Sequence, residues 1–535
     1  MPPTGPPLGL AALAARVRAT QPHVEVRCFD LNLAYYQQAL AWLADGRLRL
    51  AFKGLNQAAT AERVAKALHT LTTSGPAFHD PARYDQAAAD YLRLGDLLGP
   101  VMSAQARRAA AGLGLDPMIE RFMAELLRPL MNFAPQTVGL SALFSQQLPF
   151  ALGLARRLKD QGLPTDISTI LGGATLSVMP RPERLLENPL GAGLDYLIMG
   201  EGEAGLDAWL AGALPEAVPG LVWREGQGAR STPPGMVEDL AALPVPDFSG
   251  LEPAAHHSPA PVIPYLGARG CFWRRCAFCT HRQTYLRYRE EPAELTAARL
   301  VGLARLHGAR HFALVDEMIH PQRLAALSRE LLRLGAGQDR VDLAWSAYAR
   351  PERGFTPEIL DLAARAGCRL LMWGLESASQ RVLDLMGKGT RIGEVSAALR
   401  RAREAGIANL AFVMFGFPGE TLAEARETLA FLETHTGVLA AVSKSRFLLL
   451  DGAPMLAEPA RFGLTKITPR QGDPLMTIAY DYEAATGLSM EEADRFYREQ
   501  VRGRHWGWSP YLAVLRDHLL LRAAGRVPRR PERAG

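Results

Sequence analysis

Six short apolar runs recur between residues 262 and 452: VIPYLGARG, RHFALVDEM, DLAWSAYAR, CRLLMWGLES, ANLAFVMFGFPGE and SKSRFLLLDG. Helical patterns such as LTAARLVGLARLH, PEILDLAARAG and LAEARETLAFLETH separate the first five and precede the sixth. Runs this short suit strands, and the segments between them carry the period of amphipathic helices. Alternation of this kind makes neighbouring strands parallel, because each right-handed crossover returns the chain to the same end of the sheet. The six units predict a partial (β/α)6 barrel over residues 264–450, with its active face at the C-terminal ends of the strands.

A second alternation precedes it. VEVRCFDLN (24–32), TVGLSAL (137–143), STILGGA (168–174) and LDYLIMGEGE (194–203) read as strands, and QQLPFALGLARRLKDQG reads as an amphipathic helix. The implied fold is a doubly wound α/β sheet, whose ligands sit beyond the carboxyl ends of the strands. Those ends carry Asp30, Asn32, Ser141, Gly172, Gly173, Gly200, Glu201 and Gly202. Residues 33–135 are almost wholly helical in pattern, so a helical insertion is expected there. The chain opens on a Pro-rich turn and a helix with no strand before it, so either the true N-terminus lies upstream of Met1 or the sheet lacks that strand. The expected division is a doubly wound domain at 1–242, a Pro-rich linker at 243–263, the barrel at 264–450, and a C-terminal segment at 451–535 with a disordered tail at 522–535.

At 535 residues the chain is too long for one core. A net charge of +5 is only mildly basic, and no Lys/Arg stripe interleaved with aromatics appears, so a nucleic-acid partner is not expected. No stretch is long and apolar enough for a membrane span, and the first residues lack the basic region and cleavage site of a secretory signal. A cytoplasmic protein is the reading. In that reducing compartment its five cysteines are not a disulfide framework. Cys28 and Cys368 lie alone in apolar stretches and read as core thiols, His256 and His257 read as solvated linker residues, and the paired acids Asp316 and Glu317 read as cofactor or substrate contacts.

The other three cysteines, Cys271, Cys276 and Cys279, crowd into GCFWRRCAFCTH just after the first barrel strand. Three thiolates so spaced can bind zinc with His281 as fourth ligand, or hold three irons of a 4Fe-4S cluster and leave one iron open. Structural zinc usually draws on two separated knuckles, and no second Cys/His pair is present. An open iron explains a count of three better.

With these motifs in order, the chain resembles the radical S-adenosylmethionine (radical SAM) superfamily, in the group with an N-terminal cobalamin-binding (B12-binding) domain. The loop GCFWRRCAFC is similar to the superfamily's cluster loop, with Phe278 before the last cysteine and one extra residue between Cys271 and Cys276. VDEM (315–318), AYAR (347–350), WGLESASQRVLDLMGKGT (373–390) and FGFPGET (415–421) resemble the later strand ends. The resemblance implies S-adenosylmethionine contacts from Phe278, Glu317, Arg350, Glu376, Ser377 and Gly416. FDLN (29–32), SALFSQQ (141–147), LGGA (171–174) and MGEGE (199–203) resemble the cobalamin module and imply cobalamin contacts from Asn32, Ser141, Gln147, Gly172, Gly173, Gly200 and Glu201. The D-x-H-x-x-G segment that ligates cobalt is missing, since Asp30-Leu31-Asn32 has no histidine beside it. The lower axial position is then expected to be empty, filled by water or faced by another residue.

What the resemblance implies chemically is a 5'-deoxyadenosyl radical that removes hydrogen from an unactivated carbon, followed by methyl transfer from methylcobalamin. It further implies a small-molecule or peptide substrate and an external one-electron reductant such as flavodoxin or ferredoxin. A non-methylating rearrangement or cyclisation, and a non-catalytic corrinoid or metal-binding sensor, are the alternatives.

Overall fold

The computed structural model describes residues 2–160, 167–179, 181–335, 341–470 and 478–526. Helix α1 (Leu8–Thr20) opens the chain, followed by α2 (Leu31–Ala44), α3 (Gln57–Thr72), α4 (Pro76–His79), α5 (Pro81–Ala110) and α6 (Pro117–Phe133). Next comes a five-stranded sheet of β1 (Thr137–Ser141), β2 (Ser168–Gly172), β3 (Tyr196–Ile198), β4 (Leu221–Glu225) and β5 (Gly228–Ser231). The first three strands are parallel and the last two antiparallel. The strand order is sequential, so no reversal of order marks a ligand crevice; the shared edge at the C-terminal ends of β1, β2 and β3 takes that place.

The expected first strand, VEVRCFDLN, is not one. Residues 24–30 form no strand, and Asp30 instead caps α2, its carboxylate accepting from the backbone N–H groups of Asn32 and Leu33 at 3.0 Å. A side chain suited to an N-cap won over the apolar alternation, and Asn32 lies exposed on the first turn of α2 rather than at a strand end of its own. The helical insertion is present as α2–α6, and α5 lies so close to α7 (Leu148–Asp160) that a Cβ on Gly153 would stand 2.6 Å from the Ala106 carbonyl oxygen.

The barrel sheet contains β6 (Val262–Tyr265), β9 (His311–Leu314), β10 (Ala344–Ala349), β11 (Cys368–Glu376), β12 (Ala408–Phe415) and β13 (Ala441–Arg446), all parallel and in chain order. A short antiparallel pair, β7 (Ala268–Arg269) and β8 (Arg289–Glu290), brackets the cysteine loop. A small antiparallel sheet of β14 (Leu449–Leu450), β15 (Leu464–Pro469) and β16 (Ala479–Ala484) follows the barrel. Both faces of β11 are buried, which is why it reads as a continuous apolar run. Leu371, Trp373 and Leu375 pack outward with Trp345 and Phe355, while Leu370 and Met372 face Leu519 and Leu520 of the C-terminal helix.

That helix, Arg516–Arg526, corrects the expected disordered tail for residues 522–526. Its leucines close the apolar face of the barrel sheet, and Arg522 is fully buried with its guanidinium 4.6 Å from the centre of the Tyr84 ring. Residues 527–535 lie outside the described residues. The linker histidines are likewise buried, not solvated: His256 Nε2 meets Asp30 at 3.1 Å, and His257 Nδ1 meets the Tyr91 hydroxyl at 2.5 Å. The helical insertion and the C-terminal helix cover these histidines, and the His257 carbonyl lies 2.8 Å from His518 Nε2.

Candidate active site at the barrel mouth

The cysteine loop runs between β7 and helix His281–Thr284. Cys271, Cys276 and Cys279 are half-buried and free of disulfides, whereas Cys368 is buried in the barrel core. Burial pushes the thiols of Cys276 and Cys279 up, the latter to about 12. A bound metal centre is what holds such thiols as thiolates. Among the described residues no three His, Cys, Asp or Glu side chains converge as the ligands of one ion must. Three free thiols on one short loop suit three different irons of one cluster. His281 Nδ1 pairs with Glu317 instead of completing a zinc site.

Around this loop the strand ends bring in charge. Glu376 ends β11 at a bulge with φ of 66°, and its carboxylate accepts from Lys388 Nζ at 2.8 Å. Burial alone would lower the Lys388 pKa, but Glu376, Cys276 and Cys279 outweigh it and hold the ammonium above its ordinary value. Arg350, at the end of β10, donates to the carbonyls of Lys388 and Gly389 at 3.3 and 3.2 Å and lies 4.1 Å from the centre of the Trp273 ring, so it ties the loop to the segment that follows helix Gln380–Leu385. Phe278 packs edge-on against Phe417 at 6.4 Å, beside Gly416, whose φ is 82°.

Two expected contacts are otherwise engaged. Ser377 is fully buried, with its hydroxyl 3.3 Å from the Thr428 hydroxyl and accepting from the Ser379 N–H. Asp316 accepts from the N–H groups of Gly267 and Ala268 at 2.8 and 3.1 Å, and burial raises its carboxyl to about 6. It braces the β6–β7 turn.

At the edge of the first sheet, Ser141 pairs in register with Gly172 and is exposed. Gln147 Oε1 accepts from the N–H groups of Leu143 and Phe144, which closes the turn after β1. A Cβ on Gly173 would meet the Ala142 carbonyl oxygen at 2.4 Å and one on Gly200 would meet Pro234 at 2.9 Å, so both glycines serve chain packing. Gly172 has nothing nearer than 3.6 Å. Leu143 and Phe144 are 57% and 42% exposed there, and the buried Thr175 hydroxyl has no partner. An apolar rim with an orphaned hydroxyl fits a bulky ligand with polar arms, so the residues present suit cobalamin.

Glu201 is engaged across the domains: its oxygens accept from Arg269 at 2.6 Å, from Arg289 at 3.2 Å and from the Val237 N–H at 3.1 Å. Glu203 takes the other Arg269 nitrogen at 2.5 Å. Sequence reading missed Arg269, Arg289, Lys388 and Thr175; only Lys388 carried a signal, as the lone cation of the quoted MGKGT stretch. Helix His281–Thr284 packs against helix Ala174–Ser177, which follows the β2 glycines, and so the cysteine loop and the edge of the first sheet face each other.

Such a molecule is an α/β protein with a three-cysteine loop at the mouth of one parallel sheet and the edge of a second sheet against it. Residues 265–432 match the model of the radical SAM superfamily. An uncharacterized methyltransferase of Pyrococcus horikoshii is 25% identical over 317 residues, covering 58% of this chain and 66% of its own. The cobalamin-dependent S-adenosylmethionine radical enzyme OxsB aligns with a TM-score of 0.56 at 19% identity, covering 70% of this chain and 59% of that one. The radical S-adenosylmethionine methyltransferase TsrM of Kitasatospora setae aligns with a TM-score of 0.52 at 21% identity, over 77% and 82%. The chain thus spans just under two thirds of the first relative and less of OxsB. Residues 265–432 thus resemble a radical SAM domain, and the fold of the chain is similar to those of OxsB and TsrM.

Proposed function

We propose that this protein is a cobalamin-dependent radical SAM enzyme that methylates an unactivated carbon of a small-molecule or peptide precursor, working with an external one-electron reductant in the reducing cytoplasm. The observation that carries this is the packing of helix His281–Thr284 on helix Ala174–Ser177, which sets the cysteine loop against the glycine edge of the first domain. When bound, the cluster and S-adenosylmethionine supply a 5'-deoxyadenosyl radical and methylcobalamin supplies the methyl group.

The chain's own residues bind and orient. Cys271, Cys276 and Cys279 hold the cluster. Lys388 and Glu376, paired beside those thiols, present one cation and one carboxylate to the amine and carboxylate of the methionyl group. Glu317, held by His281, faces the same loop, and Gly416 with Phe278 lines the turn for the adenine. Ser141, Gly172 and Thr175, with the exposed Leu143 and Phe144, receive the corrinoid. The buried Glu201–Arg269 and Glu201–Arg289 pairs close the domain interface against water, which protects radical chemistry from quenching.

The test is anaerobic expression with cobalamin supplied, then assay of bound corrinoid, iron and sulfide, and of the products 5'-deoxyadenosine and S-adenosylhomocysteine. About one corrinoid and four irons per chain, with both products formed, is the expected result. Formation of 5'-deoxyadenosine without S-adenosylhomocysteine would replace methyl transfer by a non-methylating rearrangement. No cleavage of S-adenosylmethionine at all would leave a corrinoid or metal sensor.

A further inference from the structure

A groove of about 560 Å³ lies beside the cysteine loop. Arg274, Arg275, Arg282 and Arg461 line it, against two carboxylates, Asp384 and Glu458. Glu458 is paired with Arg461 at 3.3 Å, and Asp384 accepts the Gln380 amide at 2.9 Å. Among the described residues no carboxylate lies within ion-pair distance of Arg274, Arg275 or Arg282, all of which are exposed. Arg274 is held at a φ of 50° with a nitrogen donating to the Tyr285 carbonyl, and Arg275 stacks 5.1 Å from the centre of the Trp273 ring. Uncompensated cations fixed on one wall focus a positive potential that draws an anionic partner.

Position narrows the kind of partner. Arg275 and Ala277 both line the groove, so its wall lies one residue to either side of Cys276. None of its lining residues belongs to the first domain. A substrate that must meet both cofactors needs the face between the domains, where helix His281–Thr284 meets helix Ala174–Ser177. A partner that needs only the cluster can use the groove. Resting on the proposed function, we infer that the groove is the docking site of an acidic one-electron carrier protein of the flavodoxin or ferredoxin kind. The docked carrier loses one electron and the cluster gains it; no bond forms or breaks and no proton moves in that step.

The test compares the wild type with Arg282→Glu/Arg461→Glu, the conservative Arg282→Lys/Arg461→Lys, and Arg426→Glu on the exposed face of helix Leu422–Thr434. Binding of a flavodoxin is titrated by calorimetry in low and high salt, with melting curves confirming equal folding. The expected result is a loss of affinity of about tenfold or more in the glutamate double variant and a similar loss for the wild type in high salt, with little change in the lysine and Arg426 variants. In the reconstituted enzyme, flavodoxin should reduce the glutamate variant about tenfold more slowly than the wild type while dithionite reduces both alike. Flavodoxin binding that ignores the glutamates and salt overturns the inference, as does equal slowing with dithionite or equally tight competition by a short oligonucleotide. A wild type that assembles no cluster strikes the proposed function instead, and leaves the binding comparison to judge the groove.

Discussion

Arg269, two residues before Cys271, donates to Glu201 at 2.6 Å, and so the edge of the first sheet is bonded to the root of the cysteine loop. Both groups are buried, and Arg289 shares the same carboxylate from the far side of the loop. Removing one member of such a group leaves charges in a dry site. Glu201→Ala is therefore expected to cost about 3–5 kcal/mol in urea unfolding and to release iron from the reconstituted protein faster than wild type. A loss under about 1 kcal/mol would mean that water already reaches the interface.

Lys388→Met strands the buried Glu376 carboxylate beside the cysteines. A loss of similar size is expected, and Glu376→Gln introduced together with it should restore most of the stability. A double-mutant cycle from chemical denaturation reads the coupling directly. Additive losses would show that the two side chains do not act as a pair.

Cys271→Ser, Cys276→Ser or Cys279→Ser should each abolish most of the bound iron and sulfide with the accompanying visible absorbance, whereas Cys368→Ala, in the barrel core, should keep the cluster and lose only packing. Iron retained at wild-type levels in any of the three serine variants would remove that cysteine from the ligand set.

The barrel was legible because its strands are buried on both faces and its helices are amphipathic, so each of the six runs stood out. The cysteine loop was legible because three thiols in a short loop have few other uses. VEVRCFDLN failed because Asp30 serves as a helix cap, a local hydrogen bond that the apolar alternation hides. The tail failed at 522–526 because a buried arginine over an aromatic ring looks like a solvated basic stretch until its partner Tyr84 is known. The ion pairs of Glu201 were not legible because its partners Arg269 and Arg289 come from the other domain, and no spacing within MGEGE points to them.

Glu420, in the turn that follows β12, gives the sharpest pH prediction. Its Oε2 accepts from the Gly416 N–H at 2.5 Å, its Oε1 is buried without a partner, and burial pushes its carboxyl up to about 8. The folded state therefore keeps the proton over a range in which the unfolded chain, with an ordinary glutamate value, has released it. Between about pH 4.5 and 8 the folded state binds more protons than the unfolded one, so this group makes stability fall as pH rises, and the penalty is complete above about 8. Glu420→Gln keeps the shape without the charge, and its amide oxygen can still accept from the Gly416 N–H. The variant should match the wild type near pH 5, exceed it by more than about 1 kcal/mol at pH 8.5, and flatten the slope between them. Urea unfolding at the two pH values reads this, and parallel pH profiles for the two proteins would show that the Glu420 carboxyl titrates at an ordinary value.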